Sequence, residues 1–517
     1  MEFERKVFMD NVQNNQQQAP CPPPYWQAPE RKPPEKFPMG KQEAVFGLLL
    51  ALCALGFTNS LFYGGYNLGF GVFGMLIIAL CAGYLMIRGK KPGVYSTLLL
   101  ILSFVICGGF LRGNDSFIKF VMTGFLFFGV NLGLCIQAGQ TLYRPENFGS
   151  LGDAFRSSIG FGVGKLAESF RGIRHSMKNG KSGSKRSMEL LLGLVIAVPI
   201  LAIMIPLLIS ADAAFDGLMG LLPELEGEEI FATLITGFIA WSVLFTQATA
   251  LIHGKKESPA AKKPRKGTAA VTVNTVLIAV GFVYCVYLIS QLAYFTGGFS
   301  GILPQEYTLA QYARRGFFEM AGLCLLNLGV ILLCVGIVRK ETKVPGLTRF
   351  LCLFIGIVTL LLVATASAKM LLYIGSYGLT SLRVLTEVIM VFLAVTTAVV
   401  CIWLFAPKLP YMKIIIITAL LMGAVVLWAD VDTVVAAYNV DAYLSGKLDT
   451  VDVDYLATLS DGAVPYIDKL TFCGDFEIEN QALDALCRRS NQSDDIRNWN
   501  YASHIAKQYL PQNPSTD

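Results

Sequence analysis

Long apolar segments alternate with short polar segments along most of the chain. Between residues 44 and 429 the apolar runs repeatedly reach about 20 residues, the length that a helix needs to cross the roughly 30 Å hydrocarbon core of a bilayer. A helix satisfies its own backbone groups in lipid, so such runs indicate transmembrane helices. We predict eleven of them, at residues 44–62, 68–87, 94–111, 117–137, 188–209, 230–252, 270–292, 317–338, 349–371, 384–405 and 412–429. The predicted fold is an all-α polytopic bundle of about 11 spans.

The composition agrees with this pattern. Hydrophobic residues make up 54% of the chain and charged residues 15%, with a mean hydropathy of +0.54. Soluble domains carry about 25% charged residues. A soluble interior could not hold this much apolar side chain, so the composition excludes an ordinary soluble protein.

The distribution of Lys and Arg predicts the orientation of the chain. An odd number of spans places the two termini on opposite sides. Alternate connections, together with the N-terminal arm, carry 30 of the 42 Lys and Arg residues, whereas the loop at 210–229 has six acidic residues and no Lys or Arg. Cationic loops stay in the cytoplasm. We therefore predict that the N-terminus is inside and the C-terminus outside, and that the net charge of +5 reflects topology and not nucleic-acid binding.

The same pattern divides the chain into five parts. We predict a disordered, Pro- and Gln-rich cytoplasmic arm at 1–43, four transmembrane helices at 44–137, a basic amphipathic cytoplasmic loop at 138–187, seven transmembrane helices at 188–429 and an acidic extracytoplasmic helical tail at 430–517. The tail contains 15 Asp and Glu residues but only six Lys and Arg residues. We expect this tail to be a small helical domain packed on the outer face of the bundle.

The loop at 138–187 has apolar residues at near-helical spacing beside basic ones. Its apolar positions are Leu151, Phe155, Ile159, Leu166, Phe170 and Ile173. A basic amphipathic stretch of this kind is typical of a helix that lies along the anionic inner leaflet. Gly160, Gly162, Gly164 and Lys165 imitate a phosphate-binding loop, but their spacing is not that of a P-loop.

No catalytic or metal-binding constellation is present in the sequence. The three histidines, His175, His253 and His504, are not spaced to share a metal. No nucleophile and base can be placed together in one compartment. We therefore expect no catalytic residues, no metal and no cofactor, and we predict that the protein is not an enzyme.

Ionisable residues cluster instead at the outer ends of the later spans. Charged groups near hydrocarbon are unfavourable and usually face the interior of a bundle and a partner. Arg383 and Glu387 are one helical turn apart and can form an ion pair. One hypothesis is an outward-facing polar vestibule; the alternative is interfacial snorkelling and structural ion pairs. The candidates for ligand or partner binding are Asp212, Arg314, Arg315, Glu319, Lys369, Arg383 and Glu387.

Arg314 and Arg315 depart from the positive-inside pattern, because they lie on the predicted outer side. An anionic ligand such as a lipid phosphate could bind there, or the two arginines could pair with the acidic tail. Only two of the twelve cysteines, Cys473 and Cys487, reach the predicted outside. A disulfide between them is a hypothesis, and two reduced thiols are the alternative.

Several short strings resemble a known family. The strings are Ser210-Ala211-Asp212, Gln291 to Phe295 with Gly297 and Gly298, Ala313 to Glu319, Tyr377 to Thr380 with Leu382-Arg383, Ala437-Tyr438-Asn439, Asp454-Tyr455-Leu456 and Leu459-Ser460-Asp461. They are similar to bacterial membrane proteins grouped as domain-of-unknown-function families 4173 and 4153. The resemblance covers about 190–510 and implies a multi-spanning bacterial membrane protein without an assigned activity.

The leading hypothesis for function is a non-enzymatic binding, sensing or scaffolding protein of the bacterial cytoplasmic membrane. Its expected partners are membrane lipids and an envelope protein or anionic lipid ligand, and not nucleic acid. The alternative is a transporter or lipid translocator that uses the charged vestibule. A membrane-embedded enzyme acting on a lipid-linked substrate is disfavoured, since no nucleophile or metal cluster is evident.

Overall fold

The structure is a computed structural model that describes residues 39–113, 115–146, 148–179, 182–211, 227–254, 268–298, 317–338, 345–490 and 499–510. Throughout these ranges the regular secondary structure is helical, with no strand among the described residues. An isolated bridge pairs Thr268 with Val338. The prediction of an all-α fold is confirmed for this part of the chain.

Each of the eleven predicted spans falls on a helix. The helices are α1 (Lys41–Tyr63), α2 (Leu68–Ile87), α3 (Val94–Gly109), α4 (Ser116–Ala138), α5 (Ser150–Phe155), a π-helix (Arg156–Val163), α6 (Leu166–Asn179), α7 (Ser182–Ala211), α8 (Gly227–His253), α9 (Ala270–Gly298), α10 (Phe317–Ile337), α11 (Gly346–Tyr377), α12 (Ser381–Phe405) and α13 (Tyr411–Ala429). The tail continues as α14 (Val431–Leu444), α15 (Val453–Thr458), α16 (Val464–Leu470), α17 (Phe476–Ser490) and α18 (Tyr501–Ala506).

Nine helices in the described residues are long and apolar enough to cross a membrane, namely α1, α2, α4 and α8 to α13. The other two predicted spans lie on α3, which has only 16 residues, and on α7, which has 30. Nine apolar helices of this length support a membrane-embedded protein.

Local sequence signals fix where several helices begin and end. The backbone N–H of Gly40 donates to Oε2 of Glu43 at 2.7 Å, which satisfies the N-cap donor at the start of α1. Asp115 caps α4 by accepting from the backbone N–H of Phe117 at 2.8 Å. Helix α11 ends at Gly378, whose φ of +73° is a left-handed conformation that glycine adopts without strain.

The apolar side chains form two clusters. One contains buried residues of α1 to α4, α8, α13 and the tail, and the other is built mainly from α9 to α12. Helices α12 and α13 pack against each other and so join the two groups. Many large apolar side chains on the spans remain exposed, including Phe282 at 69% and Leu325 at 61%. Such a surface is expected where lipid, and not water, surrounds the helices.

The segment predicted as an amphipathic loop contains α5, the π-helix and α6. The spacing suggested that its apolar residues share one face of a helix. In the structure they differ in exposure. Ile173 is 1% exposed and packs in the core, whereas Phe155 and Ile159 are 50% and 61% exposed. The chain turns at Gly164 and Lys165, between the π-helix and α6, so these residues do not lie along one continuous helix.

Candidate functional site

Three of the predicted site residues, Asp212, Arg314 and Arg315, lie outside the described residues. Glu319 lies in the first turn of α10, and its side chain is also outside the described part. The remaining three are half-buried. Lys369 lies on α11, while Arg383 and Glu387 lie on α12.

Arg383 is engaged by the end of helix α11. Its Nη1 donates to the carbonyl oxygen of Tyr377 at 3.0 Å and also to that of Gly378. The guanidinium carbon lies 4.1 Å from the centre of the Tyr373 ring. The last carbonyls of a helix lack partners within the helix and carry partial negative charge, so a cation there satisfies them. Arg383 therefore caps α11.

Glu387 contacts a different part of α11. Its side chain interacts with Ser367, while its Oε1 is buried and has no hydrogen-bond partner among the described residues. No ion pair joins Arg383 to Glu387 in the described structure, so the pairing expected from their spacing is wrong. Arg383 instead donates to the carbonyl oxygens of Tyr377 and Gly378, at the end of α11.

Lys369 follows Ser367 by two positions on α11. Two residues correspond to about 200° around a helix, so Lys369 lies on a different face from the Ser367–Glu387 contact. The described partners of Arg383 and Glu387 are different residues of α11, so these contacts do not join the two side chains in one vestibule. Whether the outer-end residues bind a ligand stays a prediction.

A denser set of buried polar groups lies where the tail meets the ends of the spans. Asp432, in the first turn of α14, is 0% exposed. Its Oδ1 accepts from the hydroxyl of Ser381 at 2.8 Å, and its Oδ2 accepts from the backbone N–H of Ser460 at 3.1 Å. The backbone N–H of Ser381 donates to the hydroxyl of Tyr455 at 2.9 Å. Because Ser381 begins α12, this carboxylate joins the positive end of a span to the tail.

Lys119 supplies a buried positive charge to the same region. It lies in the first turn of α4, is 4% exposed, and its Nζ donates to Oδ1 of Asn67 at 2.9 Å. Four carboxylates interact with its charge, those of Asp115, Asp430, Asp432 and Asp461. A buried ammonium group is tolerated only with such compensation. Lys119 therefore contributes a buried positive charge to the acidic region where the spans meet the tail.

Asp430 links α13 to α14 and is 2% exposed. Its φ of +54° makes it the one described non-glycine residue with a left-handed backbone. Burial raises the pKa of its carboxyl, while hydrogen bonds from Thr433 and Gly113 and the charge of Arg112 act in the opposite direction. Its Oδ1 has no hydrogen-bond partner among the described residues. The kink at Asp430 turns the chain from the last span into the tail.

Three further residue pairs connect the tail to helix ends and loops of the spans. Asn439 of α14 exchanges hydrogen bonds with the backbone of Leu379, donating to its oxygen at 2.8 Å and accepting from its N–H at 2.7 Å. The backbone N–H of Tyr501 donates to the oxygen of Leu111 at 2.8 Å, and the backbone N–H of Leu68 donates to Trp499 at 3.2 Å. The tail therefore contacts the spans at points that are widely separated in the sequence.

The tail also has an open pocket of about 660 Å³. Arg489 stands at its edge, where Nη2 donates to the oxygens of Ala457 and Leu459 and Nη1 lies 3.4 Å from Oδ1 of Asp461. Burial lowers the pKa of Arg489. The pocket is lined by Asp454, Ala457, Thr458, Leu459, Ser460, Asp461, Ala485, Arg488 and Arg489. Charges of both signs suit a polar ligand or a peptide.

A protein-family model with the description "Domain of unknown function (DUF4153)" matches residues 44–470. The chain belongs to this family. The match covers most of the chain, from α1 to α16, and so includes the spans and about the first half of the tail, without α17 and α18. A search of curated proteins and a search of solved structures give no match. The resemblance stated from the sequence is confirmed for family 4153.

The tail cysteines of this DUF4153 protein are both free thiols, so the hypothesised disulfide is not formed. Cys473 precedes α17, and its Sγ lies 3.8 Å from the oxygen of Asp475. Cys487 lies eleven positions after the first residue of α17, which separates it from the start of that helix by about 16 Å. A disulfide needs Cα atoms within about 7 Å. Helix α17 holds the two cysteines apart.

No three His, Cys, Asp or Glu side chains in the described part of this DUF4153 protein are arranged to hold a metal ion. The expectation that the protein uses no metal or cofactor stays a prediction.

Sequence reasoning missed a charged cluster at the opposite ends of the spans. The side chain of Glu43 is 2% exposed, and its Oε1 lies 3.1 Å from the hydroxyl of Tyr84, 3.2 Å from Nη2 of Arg88 and 3.9 Å from Nε2 of His253. These residues join α1, α2 and α8. The available signal was an acidic residue in the first turn of an apolar helix, on the side where Lys and Arg predominate.

Proposed function

We propose that this DUF4153 protein is a multi-pass protein of the bacterial cytoplasmic membrane with eleven spans, its N-terminus inside and its tail outside. The nine apolar helices support membrane insertion, and the distribution of Lys and Arg supports the orientation. The tail strings Ala437-Tyr438-Asn439 and Leu459-Ser460-Asp461 support a finer relationship to family 4173.

We further propose that the outer helix ends and the tail form a non-enzymatic binding, sensing or scaffolding unit. The observation that carries this proposal is the buried contact of Asp432 with both Ser381 and Ser460. A tail that is fixed to the spans presents its surface in a constant orientation, which a binding platform requires. The tail pocket, which Asp454 and Arg488 help to line, is the surface proposed to bind a partner.

The expected partners are membrane lipids and an envelope protein or an anionic lipid, and not nucleic acid. A transporter or lipid translocator is the alternative. It would need the charges of α11 and α12 to converge on a path through the bundle. In the described residues, Arg383 instead caps α11 and Glu387 contacts Ser367, so these contacts give the alternative no support.

Photo-crosslinking in living cells tests the platform. A photoreactive amino acid replaces Thr458 at the pocket, and a matched variant carries it at Asp449, which is exposed on the tail but does not line the pocket. We expect a defined adduct with an envelope protein or lipid from position 458 alone, and its loss when Arg488 is also replaced by Ala. Arg488 is exposed, so that substitution leaves the fold intact. Equal adducts from both positions, or none, would contradict the proposal.

A further inference from the structure

Two phenylalanines stand out on the tail. Phe472 and Phe476 are 85% and 80% exposed, more than any other aromatic side chain in the described residues. The next most exposed, Phe282, lies on the apolar helix α9, where lipid would cover it. Phe472 and Phe476 flank the turn between α16 and α17, outside every candidate span.

The turn that carries them is held in one conformation. Gly474 has a φ of +84°, and its N–H donates to Oε1 of Glu479 at 2.8 Å. Oδ1 of Asp475 accepts from the backbone N–H of Glu477 at 3.0 Å, at the start of α17. The carboxylates of Asp475 and Glu479, which lie beside the phenylalanines, thus accept hydrogen bonds from the backbone of the turn. The aromatic pair is presented by a preorganised turn, and its exposure does not come from a loose loop.

Helix α14 places this turn relative to the membrane. Asp432 and Asn439 share one face of α14, and both contact the outer loop between α11 and α12. Tyr443 lies about 20° from Asp432 and about 40° from Asn439 around the helix, so it lies on the same face but beyond that loop. Asp475 interacts with the hydroxyl of Tyr443. The turn therefore lies on the face of α14 that also contacts the end of α11 and the start of α12.

Cations lie near the same end of α14. Nζ of Lys447 lies 5.2 Å from the centre of the Tyr438 ring, and Nζ of Lys469 lies 4.8 Å from that of Tyr466. Tyr438 itself packs against the cluster formed by α9 to α12. Aromatic rings with neighbouring lysines are typical of the boundary between lipid headgroups and acyl chains.

We propose that Phe472 and Phe476 insert into the leaflet on the tail side of the membrane and anchor the tail to the lipid surface. The occupant of this surface is the bilayer that already surrounds the spans. The inference depends on membrane insertion of the bundle, and it holds whether or not the tail pocket binds a partner.

The native cysteines of the tail supply the test. Cys473 lies between the two phenylalanines, and Cys487 is exposed further along α17. The full chain is reconstituted in lipid nanodiscs with an environment-sensitive fluorophore on Cys473 in a Cys487→Ser variant, or on Cys487 in a Cys473→Ser variant. Cys21 and Cys285 are replaced by Ser in both. Nitroxide-labelled lipids then quench any fluorophore that lies at the bilayer.

We expect the fluorophore at position 473 to emit at shorter wavelength and to be quenched by nitroxide lipid at least about twofold more than the fluorophore at position 487. Replacing both Phe472 and Phe476 by Ser should abolish that difference. Because both side chains are exposed, the fold survives the double substitution, which an unchanged thermal transition verifies.

Equal quenching at positions 473 and 487 would overturn the proposal. So would protection of position 473 that nitroxide lipid does not affect and that grows with the number of protein copies per nanodisc, because that result would assign the aromatic pair to contact with a second copy of the chain.

Discussion

The hydroxyl of Ser381 donates to Oδ1 of Asp432 at 2.8 Å, and this contact ties the start of α12 to the start of α14. The other carboxylate oxygen accepts from Ser460, so one fully buried side chain holds a span, a tail helix and a tail loop together. Truncation of Asp432 would leave two partly buried donors without this acceptor, and each unsatisfied buried donor costs about 1–3 kcal/mol.

We expect Asp432→Ala to destabilise the protein by about 2–4 kcal/mol and to make the tail sensitive to protease while the spans remain folded. Thermal unfolding and limited proteolysis in detergent measure both effects. Asp441→Ala is the control, since the Asp441–Lys469 pair is 64% and 49% exposed and should contribute less than about 1 kcal/mol. Similar stability of the two variants would show that Asp432 does not hold the junction.

Lys119 is the second determinant of the junction. Its replacement by Met would remove the hydrogen bond to Asn67 and the positive charge near the carboxylates of Asp430 and Asp432. The loss of a buried hydrogen-bond partner typically costs about 1–3 kcal/mol. We expect Lys119→Met to lower the midpoint of unfolding and to release the tail, as measured by protease sensitivity.

A double variant distinguishes charge from packing. Lys119→Met together with Asp430→Asn removes one negative charge along with the positive one, so it should recover part of the lost stability. If the two substitutions were instead strictly additive, the electrostatic coupling between these residues would be absent.

The spans could be predicted from the sequence because lipid imposes a length and a polarity on each helix separately. Each predicted span falls on a helix, from α1 at Lys41 to α13 at Tyr411. The kink at Asp430 could not be predicted in this way. Its left-handed backbone is stabilised by contacts with Gly113 and Thr433, and Gly113 is distant in sequence.

The candidate site also combines features that the sequence predicts with contacts that depend on tertiary packing. The sequence identified Arg383 and Glu387 as unusual, because charges near hydrocarbon are rare. It paired them with each other, since their spacing was the only geometric information available. The partners that they have, the carbonyl of Tyr377 for Arg383 and the side chain of Ser367 for Glu387, depend on how α11 and α12 pack. Lys119 was counted only as one cation on the outer side, although it is buried where the spans meet the tail.

The pair formed by Glu146 and Lys413 makes stability depend on pH. Their Oε1 and Nζ atoms are 2.6 Å apart, and this contact holds the pKa of the Glu146 carboxyl below its ordinary value of 4.5. A lowered pKa in the folded state means that the contribution to stability is present above pH 4.5 and is lost as the pH falls through the folded pKa. The side chains are 40% and 27% exposed, so the contribution is about 1 kcal/mol or less.

We expect Glu146→Gln to be slightly less stable than the parent chain at pH 7 and equally stable at a pH well below the folded pKa of Glu146. Thermal unfolding across the range from pH 7 to below 4.5 measures the convergence. A difference that stays constant over this range would mean that the ion pair makes no contribution and that the substitution acts through packing.

The two thiols of the tail report the orientation of the chain. Cys487 is exposed and Cys473 is partly exposed, whereas most other described cysteines lie buried within the bundle and Cys285 faces outward from the apolar helix α9. A charged, membrane-impermeant maleimide needs an accessible thiolate, which water-exposed thiols supply and lipid-facing thiols do not. With the tail outside, the reagent should label intact spheroplasts, and the Cys473→Ser, Cys487→Ser double variant should lose that labelling. Labelling of the tail cysteines only after the membrane is permeabilised would place the tail in the cytoplasm and reverse the orientation predicted from Lys and Arg.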